Sequence, residues 1–290
     1  MVDPLSPPGT PAQPAVPVTT VARPVVLVTG AARRIGRSIT LHLAQHGWNV
    51  VLHCRAASLA TAEETGAEAR ACGARAHVLA ADLDDEAACA GLVPGAVAAM
   101  GRLDAVVNNA SLFEYDNVAS FSTTKMDRHW RSNTAPAVIL ARALHTHLLA
   151  RAAQGCVVNL LDQKLANPNP DYFSYTLSKA ALAEATVMLA QALAPLLRVC
   201  AVSPGVTLLS GPMDEAEFAT AHRLTPLQRS STASDIAHAV RFLLESPAIT
   251  GHTLLVDGGQ HLLGQPRDVL FLAQQDIAHQ ALAKPYLKED

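Results

Sequence analysis

Charged residues are scarce in this chain of 290 residues, where they make up 16% of the sequence and leave a formal net charge of -3. That balance gives no indication of a nucleic-acid partner or of an anionic membrane surface. No apolar run reaches the roughly 20 residues that a transmembrane helix needs. Because the first residues also lack the basic and continuously apolar segments of a signal peptide, we expect a cytoplasmic protein with no membrane partner.

Cysteine is also sparse, and the five cysteines form no C-x-x-C pair. Scattered cysteines in odd number favour reduced thiols over a disulfide framework. Of the twelve histidines, His42 and His46 have the i,i+4 spacing of one helix face. Since no cysteine or carboxylate accompanies them at metal-site spacing, we expect no metal ion.

Proline is concentrated at the N-terminus, where seven of the first 24 residues are proline. We therefore expect residues 1–23 to form a disordered tail with some polyproline character. Length alone demands no second domain, so we expect one domain over residues 24–263. Residues 264–290 are then a C-terminal extension, partly helical around "DVLFLAQQDIAHQALA".

Short apolar runs alternate with helical patterns along the predicted domain. Strands that are apolar throughout are buried on both faces, as in a parallel sheet. The alternation predicts a doubly wound α/β fold with seven mostly parallel strands and helices on both faces. The predicted strands are 24–30, 48–54, 74–83, 103–110, 155–161, 197–205 and 252–259, and the predicted helices are 37–47, 58–72, 85–100, 125–152 and 172–194. Residues 205–230 are long for a connection, and we expect a lid over a substrate.

A glycine turn follows the first predicted strand. Gly30 ends the strand and Gly36 opens the next helix, in "TGAARRIG". Glycine lets the backbone approach a pyrophosphate, and a helix N-terminus supplies N–H donors to it. The turn therefore predicts a dinucleotide-binding loop.

Several motifs together resemble the short-chain dehydrogenase/reductase family over residues 24–263, which implies a Rossmann-type domain. They are "TGAARRIG", "ADL" at 81–83, "NNAS" at 108–111, Asn133, Tyr175 with Lys179, and "SPG" at 203–205. Two positions depart from the usual pattern, because Arg34 replaces a glycine and Asp162 replaces a serine. Both departures resemble the pteridine reductase subgroup, which includes bacterial dihydromonapterin reductases.

The resemblance implies a nicotinamide cofactor, and the end of the second strand favours NADPH. No acidic residue stands there to bind a ribose 2′-hydroxyl, while Arg55 can pair with a 2′-phosphate. The implied cofactor-binding residues are Gly30, Arg33, Arg34, Ile35, Gly36, His53, Arg55, Asp82, Leu83, Asn109, Ala110, Ser111, Tyr175, Lys179, Pro204 and Gly205.

Tyr175 and Lys179 share one helix face and form the predicted proton donor. A neighbouring cation is needed to lower the tyrosine pKa, and Lys179 with the oxidised nicotinamide would supply it. The resemblance adds Asn133 and Asp162 to the catalytic group. It also implies that a pterin contacts Arg34, Ser111, Phe113, Asp162 and Tyr175, with Phe113 stacked on the ring.

Three functions remain open at this point. The leading hypothesis is reduction of a pterin C=N bond by NADPH. A carbonyl reductase acting on 3-oxoacyl or sugar substrates is the alternative within the same family. A sensor that binds NADP(H) without catalysis is a third reading, which the presence of Tyr175, Lys179 and Asn133 disfavours. Family members usually pair through their long helices, here 125–152 and 172–194, so we expect a homodimer or a homotetramer.

Overall fold

A computed structural model describes residues 23–209 and 213–283, and its centre is one seven-stranded sheet. The strands are β1 Val25–Val28, β2 Asn49–Cys54, β3 Ala76–Ala80, β4 Ala105–Asn108, β5 Gly155–Leu160, β6 Leu197–Pro204 and β7 Thr253–Val256. They lie in the order β3-β2-β1-β4-β5-β6-β7, and every neighbouring pair is parallel. The predicted fold class is therefore confirmed. Residues 1–22 of the predicted tail lie outside the described residues.

Helices cover both faces of the sheet. Within the described ranges they are α1 Arg34–Gln45, α2 Leu59–Ala71, α3 Glu86–Met100, α4 Thr123–His129, α5 Ala135–Ala150, α6 Phe173–Ala192, α7 Glu215–Arg223, α8 Ala233–Glu245 and α9 Val269–Ala283. On one face α1 and α8 pack their buried side chains, such as Ile39 and Ile236, against the strands. On the other face α3 and α5 do so with Leu92 and Leu140. None of these helices is both long enough and apolar enough to cross a membrane.

From β1 the chain adds β2 and β3 on one side of the sheet, and it then returns to add β4 on the other side of β1. The connections that follow β1 and β4 therefore leave toward opposite faces of the sheet. A cleft opens at such a switch point, and doubly wound folds bind their ligands there. The glycine turn after β1 and the "NNAS" motif after β4 both lie at this cleft.

The predicted helix 125–152 is interrupted. The chain forms α4, then a π-helical turn over Trp130–Thr134, and only then α5. Pro136, in the first turn of α5, has no backbone N–H, so the regular helical ladder cannot continue through this point. The interruption places Asn133, which is buried, inside the π-helical turn.

Two helices were not predicted. The first, α7, lies inside the expected lid 205–230, and the second, α8, lies between that lid and β7. Each begins at a capping box, formed by Asp214 with Glu217 and by Thr232 with Asp235. The helical pattern expected in the C-terminal extension is present as α9. Residues 210–212 of the expected lid lie outside the described part of the chain.

Candidate active site

The turn between β1 and α1 has a backbone that requires small residues. Gly30 has a φ of 63°, and a Cβ on Gly36 would collide with the carbonyl oxygen of Gly30. Arg34 has a φ of 57°, a left-handed conformation that side-chain-bearing residues rarely adopt. The glycine usual at this position would carry no such strain, so the chain accepts a strained backbone to keep a guanidinium group here.

Side chains from neighbouring strands hold this turn. The N–H of Gly30 donates to Nδ1 of His53 over 3.3 Å, and Nε2 of that ring lies 3.2 Å from the carbonyl of Ala81. The amide of Asn109 donates to the carbonyl oxygens of Thr29 and Gly30 over 2.9 and 3.2 Å. His53 and Asn109 therefore fix the shape of the loop from beneath.

A cavity of about 370 Å³ extends from this turn across the ends of β2 and β4. Among the described residues, no hydrogen bond or ion pair engages the exposed side chains of Arg33, Arg34 and Arg55, which line it. The first turn of α1 has no side-chain cap and no acidic residue. Three free cations and an uncapped helix N-terminus make this cavity suited to a ligand with several phosphate groups.

The predicted proton donor lies at the adjoining cavity. The hydroxyl of Tyr175 donates to Oδ2 of Asp162 over 2.8 Å, and the backbone N–H of Lys164 donates to Oδ1 over 2.9 Å. One turn further along α6, Nζ of Lys179 donates to the carbonyl of Leu160 over 2.7 Å. Asp162 follows β5 and Tyr175 lies near the start of α6, so the strand and the helix together set this geometry.

Burial shifts the ionisation of all three groups. It raises the pKa of Asp162, in spite of hydrogen bonds from Lys164 and Tyr175 that oppose the rise. Burial, followed by the charge of Asp162, raises the pKa of Tyr175 well above its ordinary value. Burial also lowers the pKa of Lys179 to about 8. The lowered tyrosine pKa expected from the sequence is thus not seen in the protein alone, because burial and the charge of Asp162 raise the pKa instead.

Asn133 supports the site from behind. Its Oδ1 accepts from the N–H of Leu112 over 2.6 Å, and its Nδ2 donates to the carbonyl of Leu112 and to Oγ of Ser178 over 3.0 and 2.9 Å. These bonds tie the segment after β4 to α6. The predicted part of Asn133 in proton transfer stays a prediction, because the structure shows only this positioning role.

An aromatic group forms one wall of the catalytic cavity, whose volume is about 270 Å³. The rings of Phe113 and Tyr172 are stacked, with centroids 4.2 Å apart and an interplanar angle of 14°. The ring of Tyr175 stands edge-on to Phe113 at 4.7 Å. Tyr172, which was not predicted, has a φ of 53° and immediately precedes α6. Phe113 therefore already has an aromatic neighbour in this structure.

The C-terminal extension forms the outer wall of the same cavity, a role that no motif indicates. The lining residues from this end of the chain are Leu263, Gln265, Asp268, Val269 and Leu270. Buried Lys164 also lines the cavity and pairs with Asp268 over 3.2 Å. These residues are separated by 104 positions, and no local spacing in the sequence could have connected them.

The structure brings the predicted site residues together. Each residue predicted to bind cofactor or substrate lines one of the two adjoining cavities, as do Asp162, Tyr175 and Lys179 of the catalytic group. Asn133 is the exception, because it lines neither cavity and instead contacts Leu112 and Ser178. Residues such as Ser58, Asp84 and Ser132 also line the phosphate-side cavity without having been predicted. Within the described residues, no group of histidine, cysteine, aspartate or glutamate side chains is arranged to hold a metal ion.

Comparisons with known proteins show which family the chain resembles. A family model described as enoyl-(acyl carrier protein) reductase matches residues 30–261. The FolM alternative dihydrofolate reductase 1 of Brucella suis, solved in complex with NADP, is 42% identical, with a TM-score of 0.80 over 86% of this chain and 99% of its own. An uncharacterized oxidoreductase of Mycobacterium tuberculosis is 36% identical over 242 residues, which are 81% of this chain and 91% of that protein.

A 3-oxoacyl-[acyl-carrier-protein] reductase of Staphylococcus aureus is 32% identical over 241 residues, which are 81% of this chain and 97% of that protein. The family model, these relatives and the seven-stranded parallel sheet all agree with the motifs read from the sequence. The chain is an oxidoreductase of the short-chain dehydrogenase/reductase family.

Proposed function

We propose that the protein uses NADPH to reduce a C=N bond of a pterin, converting a dihydropterin to a tetrahydropterin. The observation that carries the proposal is the contact between Asp162 and Tyr175, in which a carboxyl group lies 2.8 Å from the proton-donating hydroxyl. The similarity to the FolM alternative dihydrofolate reductase 1 of Brucella suis supports the same substrate class.

The phosphate-side cavity fits NADPH. The loop between Gly30 and Gly36 lines this cavity at the N-terminus of α1, whose backbone N–H groups can bind a pyrophosphate. Arg55 follows β2 directly and carries an unpaired guanidinium group that can bind a 2′-phosphate. The bound cofactor supplies the hydride, and Tyr175 and Lys179 line the cavity next to its site.

Asp162 favours a C=N substrate over a ketone. A ketone oxygen gains negative charge as hydride arrives, and an ionised carboxylate beside it would repel that charge. When a ring carbon of a pterin accepts hydride, its neighbouring ring nitrogen needs a proton instead. The raised pKa of Asp162 keeps its carboxyl protonated to a higher pH than a free aspartate, so it can supply or relay that proton.

The aromatic wall suits a planar heterocycle. Phe113 is partly exposed at the cavity, beside the edge-on ring of Tyr175. Offset stacking on an aromatic ring is favourable by about 1 kcal/mol beyond the burial of its area. Ser111 and Arg34 line the same cavity and can hydrogen-bond the polar edge of a pterin or a cofactor phosphate.

Carbonyl reduction is the second candidate, because the 3-oxoacyl reductase of Staphylococcus aureus shares 32% identity over nearly its whole length. The two functions separate in one assay. Purified protein and NADPH are incubated with 7,8-dihydropterins and with a panel of 3-oxoacyl thioesters and sugar ketones, and NADPH oxidation and the reduced product are both measured.

We expect tetrahydropterin to form and the ketones to react slowly or not at all. The matched control is Tyr175→Phe, which keeps the aromatic ring but removes the donated hydroxyl and should abolish turnover of whichever substrate is used. Turnover of ketones without any pterin product would replace the proposal with the second candidate.

We also propose that the protein forms a homodimer or a homotetramer. Support comes from α6, where Leu177, Val187 and Met188 expose 43%, 40% and 66% of their surface. Apolar side chains exposed along one helix are typical of a face that a second subunit covers. Sedimentation velocity gives the assembly, and a monomer at micromolar concentration would contradict this proposal.

A further inference from the structure

Two ion pairs fasten the C-terminal extension to the loop before α6. The carboxylate of Asp171 accepts hydrogen bonds from Nε and Nη2 of Arg267, over 2.8 and 2.9 Å. It also accepts one from the backbone N–H of Asp268, over 2.8 Å. Nζ of Lys164 donates to the carbonyl of Asp171 over 2.6 Å and to Oδ2 of Asp268 over 3.2 Å. We call these four residues the clamp.

Two of the four clamp residues are buried inside the protein. Asp171 and Lys164 are only 3% and 5% exposed. A bidentate arginine–carboxylate pair has fixed geometry, and removal of one partner leaves a buried charge without its counterion. The segment after the clamp is further held by apolar contacts of Val269 and Ala273 with Ala221 of α7. The position of the extension is therefore set by specific contacts.

The clamped segment lies where the substrate has to fit. Leu263, Gln265, Asp268, Val269 and Leu270 line the catalytic cavity opposite the phosphate-side cavity. The family model ends at residue 261, so most of this wall lies outside the stretch that the model matches. The cavity that it borders has a volume of about 270 Å³.

We propose that residues 263–272 are a substrate-specificity element, held by the clamp, that limits the length of the substituent a substrate ring can carry. The inference deepens the proposed function and rests on it, because the cavity is taken as the substrate site of the reductase. A ring with a short substituent fits between Phe113 and this wall, whereas a long one meets Leu263, Gln265 or Leu270 unless the clamp opens.

The test compares two substrates in variants that loosen the wall. Arg267 does not line the cavity and its side chain is 42% exposed, so Arg267→Ala opens the clamp without touching the substrate. The substrates are 6-methyl-7,8-dihydropterin, which has a short substituent, and dihydrofolate, which has a long one. We expect the ratio of kcat/KM for the long substrate to that for the short one to rise about tenfold, a typical gain when a pocket limit is relieved.

The KM for NADPH should stay unchanged, and Arg267→Lys should restore part of the wild-type ratio. Arg241→Ala is the matched control, because Arg241 also makes one arginine–carboxylate pair, with Glu245 on α8, remote from the cavity. Hydrogen exchange supplies a readout besides activity. Amides of residues 268–279 should exchange faster in Arg267→Ala and at the wild-type rate in Arg241→Ala.

Faster exchange with an unchanged substrate ratio would overturn the proposal, because the wall would then have loosened without affecting selection. If hydrogen exchange and the substrate ratio were both unchanged, the pair of Arg267 with Asp171 would not be what holds the segment in place. If the wild-type protein reduces no pterin, the proposed function fails separately. The ratio of kcat/KM is then measured with a long and a short 3-oxoacyl thioester. A rise in Arg267→Ala supports the proposed length limit for that substrate class, and an unchanged ratio overturns it.

Discussion

The hydroxyl of Tyr175 donates its hydrogen bond to the carboxylate of Asp162, which precedes it by 13 residues. Two ionisable groups joined by a hydrogen bond titrate as a coupled pair, so the apparent pKa values of the site belong to both residues together. Burial raises the pKa of each of them. The pair can therefore keep a proton ready for a substrate nitrogen at pH values where a free aspartate has lost its own.

Replacing Asp162 by alanine should lower kcat for a dihydropterin by about 10²-fold, the typical cost of a lost acid–base group. Binding of NADPH, measured by fluorescence titration, should be preserved because Asp162 does not line the phosphate-side cavity. In the wild type, kcat should fall at high pH with an apparent pKa of the Asp162–Tyr175 pair. Asp162→Ser is the informative control, since full pterin turnover in that variant would show that the carboxyl is incidental and would strengthen the carbonyl-reductase candidate.

Lys179 should make the stability of the cofactor-free protein depend on pH. Its pKa is lowered from 10.5 to about 8 in the folded protein. Between these values the unfolded chain binds the proton and the folded protein does not, so the free energy of unfolding should rise as the pH increases from about 8 to 10.5. Relative to Lys179→Met, the rise should approach about 3 kcal/mol. Urea denaturation at a series of pH values measures the rise, and parallel curves for the two proteins would contradict the lowered pKa of Lys179.

Arg55 should set the choice between NADPH and NADH. We expect the wild type to prefer NADPH by about tenfold or more, equivalent to about 1.4 kcal/mol. Arg55→Ala should remove most of this preference by raising the KM for NADPH and leaving that for NADH nearly unchanged, because only NADPH carries the 2′-phosphate. Steady-state kinetics with both cofactors measure the ratio. An unchanged ratio would assign the selectivity to Arg33 or Arg34, which line the same cavity.

Phe113→Ala should raise the KM for the pterin more than the KM for NADPH, because stacking contributes about 1 kcal/mol beyond area burial. The variant also removes the stacked neighbour of Tyr172, so unfolding must be measured alongside. Phe121→Ala is the matched control, since Phe121 is 41% exposed against 38% for Phe113 and contacts Phe173 rather than the cavity. A loss of stability alone, or equal losses for both ligands, would show that Phe113 is only packing.

Local sequence patterns predicted the strands, the glycine turn and the proton-donor pair, because each of these features depends on residues close together in the chain. Strands such as Val25–Val28 are apolar throughout, and Gly30 and Gly36 mark a turn that no larger residue could form. The donor pair of Tyr175 and Lys179 was visible because helical spacing alone puts both on one face. These features could be read from fewer than ten residues at a time.

Other features depend on tertiary contacts and had no local signal. The break at Trp130–Thr134 places Asn133 against Leu112 and Ser178, contacts that span 21 and 45 positions. The helix α8 is different, because it has a local signal in the capping box of Thr232 and Asp235. The pKa of Tyr175 depends on how deeply folding buries it, which a four-residue motif does not contain.

The bond between Asp171 and Arg267 joins residues 96 positions apart, and this has a consequence for biosynthesis. A growing chain makes its N-terminal part first, so the phosphate loop and Tyr175 leave the ribosome well before Arg267 does. The sheet itself needs only residues up to β7, which ends at Val256. A chain that ended after β7 would contain every strand of the sheet but would lack Arg267, and with it the contact that holds the outer wall of the pocket.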